Sequence, residues 1–77
     1  MLTVSEVARR VGIRPSAVRY YERLGIIPRA VRRENGYRAY SNKSVKLIML
    51  AVHARSLGMN LKETKSIVDL LLANQSP

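Results

Sequence analysis

A chain of 77 residues with 14 Lys and Arg against 5 Asp and Glu, net charge +9, has length for one domain and none for a catalytic domain joined to a regulatory one. It holds no cysteine and one histidine, which excludes disulfides, thiolate chemistry and multi-histidine metal centres, and its longest apolar run, Leu47 to Val52, is too short to span a bilayer. A hydrophobic share of 47% argues for a folded domain over residues 1–77; the lack of cysteine fits a reducing cytoplasm, the short apolar run predicts no membrane, and the charge implies a polyanionic partner.

The charge is local. Residues 9–46 hold eleven basic side chains, nine of them arginine, opposed by Glu22 and Glu34 alone. The forked donors of arginine suit phosphate oxygens better than the point charge of lysine. In chain order, Thr3 with Glu6 has capping-box spacing and predicts a helix over about 4–11, with Val4, Val7, Ala8 and Val11 on one face and Gly12 ending it. Pro15 suits a first helical position and Gly25 a far end, which predicts a second helix over 15–24. The short turn between them makes residues 4–24 a helix-turn-helix. Helical periodicity gathers Ala17, Val18, Tyr21 and Leu24 on the inner side of the second helix. Ser16, Arg19 and Arg23 lie on the outer side, with Tyr20 and Glu22 on the flanks. A helix docked in a major groove requires this pattern, and an ordinary amphipathic surface helix shares it.

Pro28 breaks the chain after Ile26 and Ile27, and Asn35-Gly36 is a hairpin turn signal within 29–40. A two-residue loop would face Glu34 with Tyr37, Arg33 with Arg38 and Val31 with Tyr40. Like charges at 33 and 38 repel unless an anion lies between them. Beside a helix-turn-helix such a hairpin is a wing whose tip lies along phosphates, while Tyr37 and Tyr40 suit either contact or packing on the domain. Ser41 or Asn42 caps a third helix over about 43–57, and Asn60 with Glu63 a fourth over about 61–73. The fourth presents Leu61, Thr64, Val68, Leu71 and Leu72 to the core, and Asn74 to Pro77 is expected to fray. The third is apolar almost all round, with Lys46 and His53 as its clear polar side, which implies burial on more than one side. One face of helix 43–57 could meet a second copy or another protein. His53 is expected on the surface, without metal or catalytic use.

These residues resemble, across nearly the full chain, the DNA-binding domain of MerR-type bacterial transcription regulators. The likeness is carried by Thr3-Val-Ser-Glu-Val-Ala8, Val18-Arg-Tyr-Tyr-Glu22, Leu24-Gly-Ile-Ile-Pro28, Glu34-Asn-Gly-Tyr-Arg-Ala-Tyr-Ser41 and Ala54-Arg-Ser-Leu-Gly58. The resemblance implies a mainly α fold, a winged helix-turn-helix with four helices and a small β-hairpin wing, the helix pair 43–73 forming a second wing. It implies a symmetric dimer on a near-palindromic operator in double-stranded DNA, distorting an over-long promoter spacer and so reaching RNA polymerase indirectly. By position, Arg19 and Tyr20 would contact base edge and backbone, Tyr37 and Arg38 would hold phosphate from the wing, and Arg55 from the second wing. Ser16 and Arg23 of the outer helix face, Arg33 and Tyr40 of the hairpin, and Arg14 complete the candidate DNA-binding set.

Three departures from the family stand out. Its long dimerisation helix and effector domain lie outside these residues, so no metal or drug sensing is assigned. Leu47, Met49 and Val52 occupy positions where relatives tend to be polar, and this surface is expected to pack against another protein or a second copy. Arg14 stands where relatives often have a Ser or Thr cap, trading the cap for a phosphate contact. No paired carboxylates, nucleophile triad, P-loop or metal spacing occurs, so neither catalysis nor a cofactor is expected. The competing roles are an excisionase-like architectural protein of recombination and an adapter that binds proteins through the third helix.

Overall fold

The computed structural model describes residues 1–36 and 38–74. Tyr37 and the tail residues 75–77, which the sequence reading had marked for phosphate contact and fraying, lie outside the described residues. The described chain is a winged helix-turn-helix: helices α1 (Val4–Val11), α2 (Pro15–Arg23), α3 (Asn42–Ser56) and α4 (Leu61–Asn74), with a hairpin of β1 (Val31–Arg32) and β2 (Arg38–Ala39) between α2 and α3. Among the described residues, no helix is long and apolar enough to cross a membrane.

Local chemistry explains the helix ends. At α1 the Thr3 N–H donates to Glu6 Oε1 (2.9 Å) and the Glu6 N–H to Thr3 Oγ1 (3.1 Å), a complete capping box. Gly12, at φ 84°, lets the chain turn so that its own N–H and that of Ile13 both reach the Ala8 carbonyl, at 2.8 and 3.0 Å. Pro15 begins α2, and Arg14 at the cap makes no side-chain hydrogen bond. Ser41, not Asn42, caps α3, accepting from the Ser44 N–H at 3.3 Å. Asn60 and Glu63 exchange capping bonds of 2.8 and 3.0 Å at the start of α4, which continues through Asn74.

The core is assembled around α3, whose Val45, Leu47, Ile48, Ala51 and Ala54 are buried. Val7 and Ala8 of α1, Val18 of α2 and Val68 of α4 close on it, with Leu2 and Tyr40. Ile26 and Ile27 are also fully buried and anchor the strap between α2 and the wing; the sequence reading had noted only the break at Pro28. On α4, Thr64 and Val68 are buried and Leu61 and Leu72 half-buried, but Leu71 is exposed. A correction concerns α3. Leu47, expected on a surface for a partner, is 4% exposed and belongs to the domain's own core, while Met49 is 52% exposed. The polar arc of α3 is narrow enough that one residue of rotation decides which leucine is covered.

The hairpin register also differs from the two-residue loop. Val31 pairs with Ala39 and Arg32 with Arg38. The Gly36 N–H donates to the Arg33 carbonyl at 2.9 Å, and Gly36 has φ 83° while Asn35 does not have a positive φ. A two-residue type I′ turn needs both central residues at positive φ; a type I turn closed by a left-handed glycine needs one, and it lengthens the loop. The slip exchanges faces, so Arg32 rather than Arg33 stands opposite Arg38. An isolated antiparallel bridge adds Leu2 beside the wing, with N–H···O bonds of 2.8 and 2.7 Å to and from Tyr40.

Candidate nucleic-acid interface

Helix α2 and the wing present their polar sides to one another across a cleft of about 500 Å³. Arg19, Glu22 and Arg23 line it from α2, Arg29 and Ala30 from the strap, and Arg32 and Arg38 from the hairpin. Five arginines thus line the cleft with a single glutamate. Cross-strand like charges at Arg32 and Arg38 cost free energy in isolation, and every further arginine raises that cost. The arrangement is satisfied by an anion with several acceptor oxygens, because each guanidinium offers a planar fork of donors.

One carboxylate organises the cleft. Glu22 Oε1 accepts from the Tyr40 hydroxyl at 2.6 Å, and Oε2 from the Ala30 N–H at 2.8 Å. Arg38 Nη1 stands 3.9 Å from Oε1. Burial alone would raise the Glu22 carboxyl, but the bonds from Tyr40 and Ala30 with the charges of Arg38 and Arg29 outweigh it and hold the group below its ordinary value. For Tyr40 burial is the main cause, joined by the bond to Glu22 and its charge, and the phenol is pushed up to about 12.

The candidate residues divide accordingly. Arg19, Arg23 and Arg38 meet in the cleft. Arg14 and Ser16 are exposed at the α2 N-terminus, and Tyr20, exposed on the same helix, sets its ring edge-on to Tyr21 with centroids 5.9 Å apart. Arg33 lies at the hairpin tip with Val31, Glu34 and Asn35 around a separate shallow depression. Arg55 is exposed near the end of α3 and does not line the cleft. Tyr40 is the correction in this set: it is 1% exposed, so its ring packs in the core and its hydroxyl serves Glu22 instead of an external ligand. Arg29 and Arg32 were missed as site residues. A three-residue loop would have signalled Arg32, since that register pairs it with Arg38.

Comparison with known proteins follows this geometry. Residues 3–40 match the family described as MerR family regulatory protein. The uncharacterized HTH-type transcriptional regulator slr0701 of Synechocystis sp. is 41% identical over 70 residues, covering 91% of this chain and 51% of that protein. The HTH-type transcriptional regulator CueR of Salmonella typhi is 38% identical over 69 residues, covering 90% and 50%. The chain therefore spans about half the length of the curated relatives it matches. Among solved structures, HiNmlR, described as a MerR family regulator lacking the sensor domain, bound to promoter DNA, aligns with a TM-score of 0.81 at 26% identity, over 94% of this chain and 55% of that one.

Proposed function

Through residues 3–40 the chain belongs to the MerR family of regulatory proteins, and from that premise we propose that it binds double-stranded DNA sequence-specifically and regulates transcription at promoters. The observation that carries this reading is the cleft in which arginines of α2 and of the wing face one another. An α-helix with its side chains is about 10–12 Å across, which fits a major groove about 12 Å wide. Arg19 and Tyr20, from the exposed side, reach base edges and the adjoining backbone. Arg23, Arg29, Arg32 and Arg38 take the flanking phosphates, Arg14 and Ser16 the phosphates at the helix start, and Arg33 those at the hairpin tip. Arg55 holds phosphate from the second wing, α3 with α4. Two copies on a near-palindromic operator act on RNA polymerase through the geometry of the promoter, in the cytoplasm. The relatives' names as transcriptional regulators, and the promoter DNA bound by HiNmlR, support a promoter role over recombination and a regulator over an enzyme.

Selection of bound sequences from random duplex DNA tests the proposal. Enrichment of a near-palindromic sequence with a fixed half-site spacing is expected. Recovery of no preferred sequence at low ionic strength would overturn it, and sites clustered beside recombination junctions would transfer the domain to the architectural class.

A further inference from the structure

We infer that Glu22 is the positioning residue that sets sequence discrimination: its carboxylate clasps both legs of the wing to the recognition helix while opposing the charge that draws in any duplex. The inference rests on the DNA-binding reading above and deepens it.

The hairpin pairs only two residues on each strand. Such a ribbon has little stability of its own, so its direction is set by whatever holds its base. Ala30 immediately precedes β1 and Tyr40 immediately follows β2. Both are bonded to the same side chain, one to each carboxylate oxygen, at 2.8 and 2.6 Å. That side chain stands in the last turn of α2, between the cleft arginines Arg19 and Arg23. Its own exposure is 12%, so the bonds are little diluted by water. The Leu2 bridge and the buried Tyr40 ring hold one leg to the core, while the clasp ties both legs to α2, so a change in it alters the angle between the wing and the helix. The core beneath, where Ile26, Ile27, Ile48 and Val68 meet, uses no part of the carboxylate.

Geometry and charge act in opposite senses on DNA. A specific complex needs the wing on phosphates while α2 has its side chains at base edges, so a displaced wing weakens it. A non-specific complex needs only net positive charge near the backbone. Removing Glu22 deletes the one negative charge among five arginines. Random DNA then binds at least as tightly as before, while the selected operator binds less tightly.

The test measures two affinities for each protein, with the duplex enriched by selection and with a scrambled duplex of the same length and composition. Glu22→Ala should lose tenfold or more on the enriched duplex and lose nothing, or gain a few-fold, on the scrambled one. Tyr40→Phe keeps the charge and removes one bond, so it should weaken the enriched duplex alone, by a few-fold. Glu22→Gln can accept from the Ala30 N–H and donate to the Tyr40 oxygen. It should recover part of the discrimination lost in Glu22→Ala while keeping the gain on scrambled DNA. Parallel losses on both duplexes in Glu22→Ala and Tyr40→Phe would make the clasp merely structural and overturn the inference. Parallel gains in Glu22→Ala would overturn it as well, leaving Glu22 an electrostatic brake. Wild-type protein that failed to distinguish the duplexes would instead sink the DNA-binding reading on which the inference stands.

Discussion

At the scale of single residues, Tyr40 and Glu22 form a proton-sensitive pair whose two limbs have opposite signs. Glu22 titrates below its ordinary value, so its contribution to stability is present above the unfolded carboxyl range and lost as pH falls through the folded pKa. Tyr40 is raised from 10.0 to about 12, so its contribution is present below 10 and lost as pH climbs from there towards 12. Tyr40→Phe leaves a buried lone pair of a charged acceptor unpaired and should cost about 1.5–3 kcal/mol at neutral pH. Thermal denaturation against pH should also show a shallower alkaline limb than wild type; superimposable limbs would mean that the phenol does not titrate as its surroundings require. Arg19 makes a separate case. Arg19→Ala should relax discrimination at one base pair by about 1–3 kcal/mol, read from affinities for operators substituted position by position. An equal loss on every sequence would make Arg19 a phosphate clamp. The outward position of Arg19 was legible in helical periodicity. For Tyr40 the sequence left packing and contact both open, because a strand residue changes face with a one-residue slip and the motif that names it carries no register.

At the scale of elements, helix ends were the most legible part of the chain, since their signals are local. Thr3 with Glu6 and Asn60 with Glu63 each satisfy backbone N–H groups within their own turn, whatever lies around them. The wing was legible as a hairpin but not in its pairing, which depended on whether Asn35 entered the left-handed region. Helix α2 is the one whose cap is unfilled. Arg14→Ser should supply the missing acceptor and stabilise the domain by about 1 kcal/mol. It should also flatten the dependence of log affinity on log salt by about one unit if Arg14 neutralises a phosphate. Denaturation and a salt titration read the two effects separately, and a stability gain with an unchanged slope would remove Arg14 from the interface. A stability gain together with a flatter slope would mean that the uncapped start of α2 gives up stability for affinity.

At the scale of the whole molecule, the described chain is a slab of 37 × 31 × 18 Å, thin enough that a central helix is packed on two sides. Helix α3 packs against both α1 and α4, which accounts for apolar residues on more than one of its sides without a second chain. Which of them lie outward is a property of the packed whole and could not be read from composition: Leu47 faces in, Met49 and Leu57 face out. Leu47→Glu should therefore destabilise the monomer by several kcal/mol, since an unpaired charge enters the core. Met49→Glu should leave stability within about 0.5 kcal/mol of wild type. Denaturant midpoints distinguish these outcomes, and comparable stability for the two variants would return Leu47 to the surface. For self-association through this helix, Met49→Glu is the informative variant in equilibrium sedimentation, because its effect is not confounded by unfolding.

The backbone bridge between Leu2 and Tyr40 brings together the two ends of the stretch that matches the family's regulatory-protein pattern. A segment whose first and last residues already touch is closed like a buckled strap, and closed segments are the ones that tolerate transfer between hosts. Residues 2–40 are therefore closed on themselves, and what they lack on transfer is the apolar platform that α3 and α4 together supply to Val7, Val18, Ile26 and Ile27.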